Sequence, residues 1–280
     1  MVDVKTLSIA LVSGTGRMGV HLSAAWAHAG MDVIMCSRTK ENAQVIVESL
    51  LEGKGYSKGD IMVPPTDHTL TQKWKLRPGT IDDAANADVI VLCSPFHVMW
   101  PSLGAEHTKL LSLVKGKGKI FMDLTNPWLN TSNKNSKNEP PIPPDEPQAS
   151  VLYHKKLFDD PTSSWCMAYR HVFWALIHPT GPNPRTGTRN GIEVIGDERA
   201  VETCAAIIES HGFKPVIREG GIDVAPKYEV SFTGRVCKDK IPDCPPPTGS
   251  DPDGLIGPFS ASPMIAVDIM KEKFSRLFCK

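Results

Sequence analysis

Leu7-Ser8-Ile9-Ala10-Leu11-Val12-Ser13-Gly14-Thr15-Gly16-Arg17-Met18-Gly19 is the stretch on which the fold turns. Its first half is an uninterrupted apolar run of strand length, and its second half is a glycine cluster of the form Gly-x-Gly-x-x-Gly. Residues 17–29 then place Met18, Leu22, Ala25, Trp26 and Ala29 at spacings of three and four, the period of a helix with one apolar stripe. Glycines between a strand and a helix have separate tasks. Gly14 permits the tight turn, Gly16 lets the backbone approach a pyrophosphate, and Gly19 lets the helix pack closely on the strand. The unbonded N–H groups at the start of the helix then face the phosphates with the positive end of its dipole. Without that strand and helix the glycines would be no more than a turn.

Outward from this unit the alternation continues. Gly30 stops the helix, Asp32–Cys36 reads as a second strand, and Thr39 can cap a helix running to Leu51. Residues 53–80 are polar and rich in glycine and proline, with one short strand expected at 60–63. Ala87–Cys93 is a continuous apolar strand, as in a sheet covered on both faces. A helix near 103–115 and a strand at 119–124 follow. The pattern predicts an α/β fold with a Rossmann, doubly wound parallel sheet over residues 1–128. Residues 129–280 are expected to add a smaller C-terminal α/β portion that completes the cleft, after a loop-rich insertion at about 130–170. There, strands are expected at 172–177, 192–196 and 214–218, with a helix at 198–211 and an amphipathic helix at 264–277.

With 31 basic and 31 acidic side chains, the 280-residue chain has no net charge, which argues against nucleic acid as its main partner. Its apolar runs are far shorter than the roughly 20 residues that cross a bilayer. No basic, apolar and small-residue leader is visible, so a soluble, cytoplasmic protein is expected. The seven cysteines form no Cys-x-x-Cys pair, and neither a disulfide framework nor a metal site is expected. No Gly-x-Ser-x-Gly elbow, His-Glu-x-x-His pair or Walker lysine appears.

The end of the second strand selects the nucleotide. A site for NAD places a carboxylate there to bond the ribose 2′-hydroxyl. This chain has Ser37-Arg38-Thr39-Lys40 instead. Arg38 can fork onto a 2′-phosphate and stack on adenine, Ser37 and Thr39 can donate hydrogen bonds, and Lys40 adds charge. A basic start is otherwise unfavourable for a helix, because cations meet the positive end of the dipole. NADP(H) is the expected cofactor. Ser94 and Pro95 after the third apolar strand, and Thr125, Asn126 and Pro127 after the fourth, are expected beside the nicotinamide half, with loop capping as the alternative. For proton exchange, His97, His178 and Tyr228 are the candidates, with Lys227 beside them. Trp100 and Trp174 could stack on a planar substrate or simply pack a core.

With these residues assembled, the chain resembles the deazaflavin-dependent NADP reductases and the cytosolic reductase domain of STEAP-type ferric reductases. The resemblance rests on Gly14-Thr15-Gly16-Arg17-Met18-Gly19, Ser37-Arg38-Thr39, the strand Ala87–Leu92 running into Ser94-Pro95, and Leu124-Thr125-Asn126-Pro127. Gly196-Asp197, Gly212–Val216 and Gly221–Ala225 through Glu229 also fit the pattern. It implies an NADPH-dependent oxidoreductase, passing a hydride between NADP(H) and a small organic acceptor: a carbonyl, an imine or a flavin-like ring. Trp174 stands where the family pattern has Asn, and residues 53–79, 130–170 and 231–280 find no counterpart. Those departures fall where the acceptor would sit, so a flavin-like second ring stays open while the nucleotide site does not. The rival reading is a non-catalytic NADPH sensor whose surface binds a protein partner. The apolar C-terminal helix could form a homodimer contact.

Overall fold

The computed structural model describes residues 2–59, 61–94, 104–125, 142, 145–170, 177–179, 181–182 and 191–229. In chain order the first half holds β1 (Ser8–Val12), α1 (Arg17–His28), β2 (Asp32–Cys36), α2 (Lys40–Leu51) and a hairpin of β3 (Tyr56–Lys58) and β4 (Ile61–Val63). It continues through α3 (His68–Thr71), β5 (Lys75–Gly79), α4 (Ile81–Ala84), β6 (Val89–Leu92), α5 (Ala105–Val114) and β7 (Ile120–Asp123). The second half has α6 (Ser150–Phe158), β8 (Ser164–Met167), a small hairpin of β9 (Ile177–His178) and β10 (Gly181–Pro182), and β11 (Gly191–Gly196). α7 (Glu198–Ser210), β12 (Lys214–Ile217) and α8 (Ala225–Tyr228) complete it.

Eight strands form one sheet in the order β12-β11-β8-β7-β6-β1-β2-β5. From β5 to β8 every neighbouring pair is parallel. Taken by chain position, those six strands run third, second, first, fourth, fifth, sixth, which is the dinucleotide-binding order. The order reverses between β1 and β6, so a crevice opens beyond their carboxyl ends. β11 then joins β8 antiparallel and carries β12 parallel to itself.

The alternation of side chains across the sheet explains why its central strands are apolar throughout. Ile9, Leu11, Val33, Met35, Val89, Val91 and Met122 face one core with Val20 and Leu22 of α1, Ile46 and Val47 of α2, and Ile207 and Ile208 of α7. Ala10, Val12, Ile34, Ile90, Leu92, Phe121 and Trp165 face the other, with Leu110 of α5 and Val151 and Phe158 of α6. There the Phe121 and Trp165 rings stack with centroids 4.2 Å apart.

Three elements depart from the sequence reading. β5 sits at the sheet edge, where only Leu76 and Gly79 are buried and Pro78 is tolerated, so no apolar run announces it. α6 and β8 stand in the stretch expected to be loop-rich, which the pairing of β7 with β8 corrects for residues 150–167. α6 is polar in its middle, and β8 is only four residues long, so neither shows a long periodicity. The sixth parallel strand therefore comes from beyond residue 128, and the expected domain boundary falls inside the sheet. Most of the strand expected at 172–177, the segment 130–141 and the helix expected at 264–277 lie outside the described residues. Among the described residues no helix is long and apolar enough to cross a membrane.

Candidate functional site

The glycine turn lies at the carboxyl end of β1, where the sheet order reverses. Gly14 N–H donates to Leu11 C=O at 3.0 Å and to Cys36 C=O at 2.8 Å, so one amide ties the turn to the ends of β1 and β2. A Cβ on Gly14 would stand 2.8 Å from Leu11 O, and one on Gly19 would stand 2.4–2.6 Å from the backbone of Gly14. The chain's own packing thus requires those two glycines. Gly16 is different: its Cβ would meet only Ser13 O, at 3.5 Å, and the residue is exposed. Nothing within the chain demands glycine there, whereas close approach by a ligand does. Gly16 is also the N-cap of α1 and offers no side-chain cap. Val20 N–H to Gly16 C=O, at 2.9 Å, is the first bond of the ladder, so the preceding turn of amides faces the loop. Thr15 and Met18 are half-buried in this turn, and Arg17 is exposed.

At the end of β2, Ser37 N–H donates to Gly79 C=O at 3.0 Å, joining this strand end to that of β5. Arg38, Thr39 and Lys40 are exposed. Thr39 occupies the N-cap position of α2, but its side chain makes no capping bond. Glu41 follows in the first turn. Arg38 has no hydrogen bond or ion pair among the described residues, so its guanidinium is available to a ligand. The partnerless cation, the open face at Gly16 and the uncapped helix start fit a dinucleotide carrying a 2′-phosphate.

Ser94 and Thr125 lie at the ends of β6 and β7, on the same edge, and both hydroxyls are buried and engaged. Ser94 Oγ is 2.8 Å from Ser13 Oγ and 3.0 Å from His107 Nε2. Thr125 donates its N–H and its hydroxyl to Asp123 Oδ1, each at 2.7 Å. These two residues frame the crevice.

Asp123 is the centre of a buried ionic network. Its Oδ2 lies 2.8 Å from His154 Nδ1, 3.2 Å from Ser150 Oγ and 3.5 Å from an Arg170 amino group. Arg170 also donates to Ser150 Oγ and to Glu229 Oε1, and Ser150 N–H donates to Glu229 Oε2 at 2.7 Å. Burial pushes the Asp123 carboxyl up, but the charges of His154 and Arg170 and the bonds from His154 and Thr125 outweigh it, to about 2. The network binds β7, α6, the segment after β8 and the end of α8 into one block beside the crevice.

The remaining candidates are scattered. His178 is half-buried on β9 against α1, where burial and the nearby His28 lower its basicity. Tyr228 ends α8 half-buried, with the Arg218 guanidinium 5.0 Å above its ring, and Lys227 is exposed. His97, Pro95, Asn126, Pro127, Trp100 and Trp174 lie outside the described residues. Sequence reasoning missed Ser13, His107, Asp123, His154, Arg170 and Glu229. Two signals were present: Asp123 ends an otherwise apolar strand, and His107 shares a helix face with Leu110 and Val114. Polar groups in such places must find partners.

Comparison with known proteins gives this geometry a context. Residues 8–127 match the family described as NADP oxidoreductase, coenzyme F420-dependent. The chain is 30% identical over 127 residues to the F420-dependent NADP reductase of Methanothermobacter thermautotrophicus, a match covering 45% of this chain and 46% of that protein. It thus spans about half the length of the curated relative it matches. Among solved structures, a candidate F420-dependent NADP reductase of Arthrobacter sp. FB24 superposes with a TM-score of 0.55 at 21% identity, covering 79% of this chain and 88% of that one. The imine reductase of Bacillus cereus BAG3X2 gives 0.50 at 16% identity, over 79% of this chain and 57% of that one. These two likenesses are of fold. Over residues 8–127, which carry the glycine turn and Arg38, the chain is similar to the coenzyme F420-dependent NADP oxidoreductases.

Proposed function

We propose that this protein is an NADPH-dependent reductase that passes a hydride from the nicotinamide to a small organic acceptor: a carbonyl, an imine or a flavin-like ring. The observation that carries the reading is the exposed, partnerless Arg38 at the end of β2, set beside a glycine turn open at Gly16. Bound NADPH supplies the hydride. The chain's own residues would hold and orient it: the amides around Gly16 would take the pyrophosphate, Arg38 with Ser37, Thr39 and Lys40 would take the 2′-phosphate, and Ser94 and Thr125 would shape the crevice where the nicotinamide lies. The family name supports an acceptor of the deazaflavin type, coenzyme F420. His97, His178 and Tyr228 remain the candidates for a proton donor. We place the protein in the cytoplasm, acting on a small molecule and not on nucleic acid, and able to pair as a homodimer.

Calorimetric titration with NADPH and NADH tests the nucleotide. Arg38→Ala should weaken NADPH binding about tenfold or more and leave NADH unchanged, since a hydrogen-bonded charge pair is worth roughly 1.5–3 kcal/mol. Equal loss for both would overturn the 2′-phosphate assignment. Loss of nicotinamide absorbance, followed with a deazaflavin, a flavin, a cyclic imine and a carbonyl, then identifies the acceptor. Tight NADPH binding with no turnover of any of them would instead favour the sensor.

A further inference from the structure

Ser13 sits at the seam between β1 and β6 in a conformation a side chain rarely adopts, with φ of 60°. Glycine would take that conformation freely, whereas it is unfavourable for an L side chain. Among the described residues the side chain that stands there makes one hydrogen bond, Oγ to Ser94 Oγ at 2.8 Å, and Ser94 Oγ in turn meets His107 Nε2 at 3.0 Å. Ser94 and His107 are each 2% exposed, while Ser13 is half-buried. The other ring nitrogen of His107, Nδ1, is buried without a partner.

That last fact sets the direction of the chain of bonds. Burial, reinforced by the positive charge His154 can carry, lowers His107 to about 4, so the ring is neutral near pH 7. A proton on Nδ1 would be a buried N–H with nothing to accept it, the rarest kind of unsatisfied group. The proton therefore belongs on Nε2, which donates to Ser94 Oγ. The Ser94 hydroxyl proton then has one acceptor within reach, Ser13 Oγ. Ser13 is left with its own proton and no acceptor among the described residues.

We infer that His107 and Ser94 orient Ser13 as an outward hydroxyl donor to an oxygen of the dinucleotide, on the pyrophosphate and nicotinamide-ribose side where the ligand crosses from β1 to β6. Ser13 is the contacting residue, and Ser94 and His107 are positioning residues behind it. The inference rests on the nucleotide reading above. It adds a donor on the nicotinamide side, opposite the end of the ligand that Arg38 would hold.

Two ligands separate the ideas: NADPH, which reaches both ends of the site, and adenosine 2′,5′-bisphosphate, which lacks the pyrophosphate and nicotinamide side. Ser13→Ala should weaken NADPH about tenfold, the loss of one hydrogen bond to an oxygen acceptor, and leave the bisphosphate unchanged. Ser13→Gly should bind as weakly as Ser13→Ala although it relaxes the backbone. His107→Phe should weaken NADPH in the same direction, with no further loss in the double variant with Ser13→Ala, because it acts through that hydroxyl. His107→Gln, whose carboxamide N–H can reach the Nε2 position, should restore binding, and circular dichroism confirms that each variant is folded. Wild-type NADPH affinity in folded Ser13→Ala would overturn the donor, and additive losses in the double variant would overturn the relay. Failure of the unaltered protein to bind NADPH and the bisphosphate alike would bring down the nucleotide reading itself.

Discussion

Two polar regions lie on the same edge of the sheet and are built on opposite terms. Around the glycine turn and the end of β2, donors are left over among the described residues: the Met18 and Gly19 amides, the Arg38 guanidinium and, by inference, the Ser13 hydroxyl. Around Asp123, charged groups meet inside the chain, with Arg170 between Asp123 and Glu229 and His154 on the same Asp123 oxygen, Oδ2, that faces Arg170. The first region presents donors toward solvent, and in the second the ions face one another inside the chain. Unsatisfied donors that solvent can reach mark a binding surface, whereas buried ions held by one another mark a frame. The difference separates residues that should change affinity from residues that should change stability.

The largest effect is expected in the closed region. Arg170→Met leaves Asp123 and Glu229 buried without their shared cation, and breaking such a pair costs about 3–5 kcal/mol of folding stability. Urea denaturation measures this. A loss below about 1 kcal/mol would show that the network is not the frame described here.

Acid should act on the folded core through three other buried histidines. Burial lowers His21, His107 and His211 each to about 4 from an ordinary 6.5. The unfolded chain therefore binds protons that the folded one refuses. Their contribution is full above pH 6.5 and is lost as pH falls toward 4, up to about 3 kcal/mol for each ring. Asp123, lowered from 3.8 to about 2, adds a second loss only below pH 4. Denaturation midpoints should thus decline from pH 6.5 downward, and a flat profile to pH 4.5 would contradict the neutral burial of these rings.

The smallest effects divide the turn itself. Gly19→Ala drives a Cβ into the Gly14 backbone and should cost about 1–3 kcal/mol of stability. Gly16→Ala meets no clash and should stay within about 0.5 kcal/mol of the parent, while Gly16→Val should abolish NADPH binding in a folded protein. Circular dichroism melts and NADPH titration of the three variants check this, and NADPH binding by Gly16→Val would place the pyrophosphate elsewhere.

How legible each region was follows from the range of the forces that build it. β1, α1, β2 and α2 were readable because their apolar periods and glycine stops are local, and β2 ends where expected, at Cys36. β11, α7 and β12 were equally plain, but their orientation was not: nothing local says that β11 runs antiparallel to β8. β5 was invisible because an edge strand with Pro78 need bury only part of one face. The closed network was illegible for another reason. Asp123, Ser150, His154, Arg170 and Glu229 span more than a hundred positions, and apart from Asp123 at the end of its apolar strand each alone reads as an ordinary surface residue.

Local chemistry alone dictated the proposed nucleotide site: a strand, a glycine turn, a helix start and a cation at the next strand end are contiguous, and backbone sterics and the helix dipole act over a few residues. Packing decided the rest. Which hydroxyl turns outward at Ser13, and which carboxylate is held between His154 and Arg170, depend on atoms brought together from distant strands and helices. Desolvation and hydrogen bonding act through space, and only the folded sheet sets those distances.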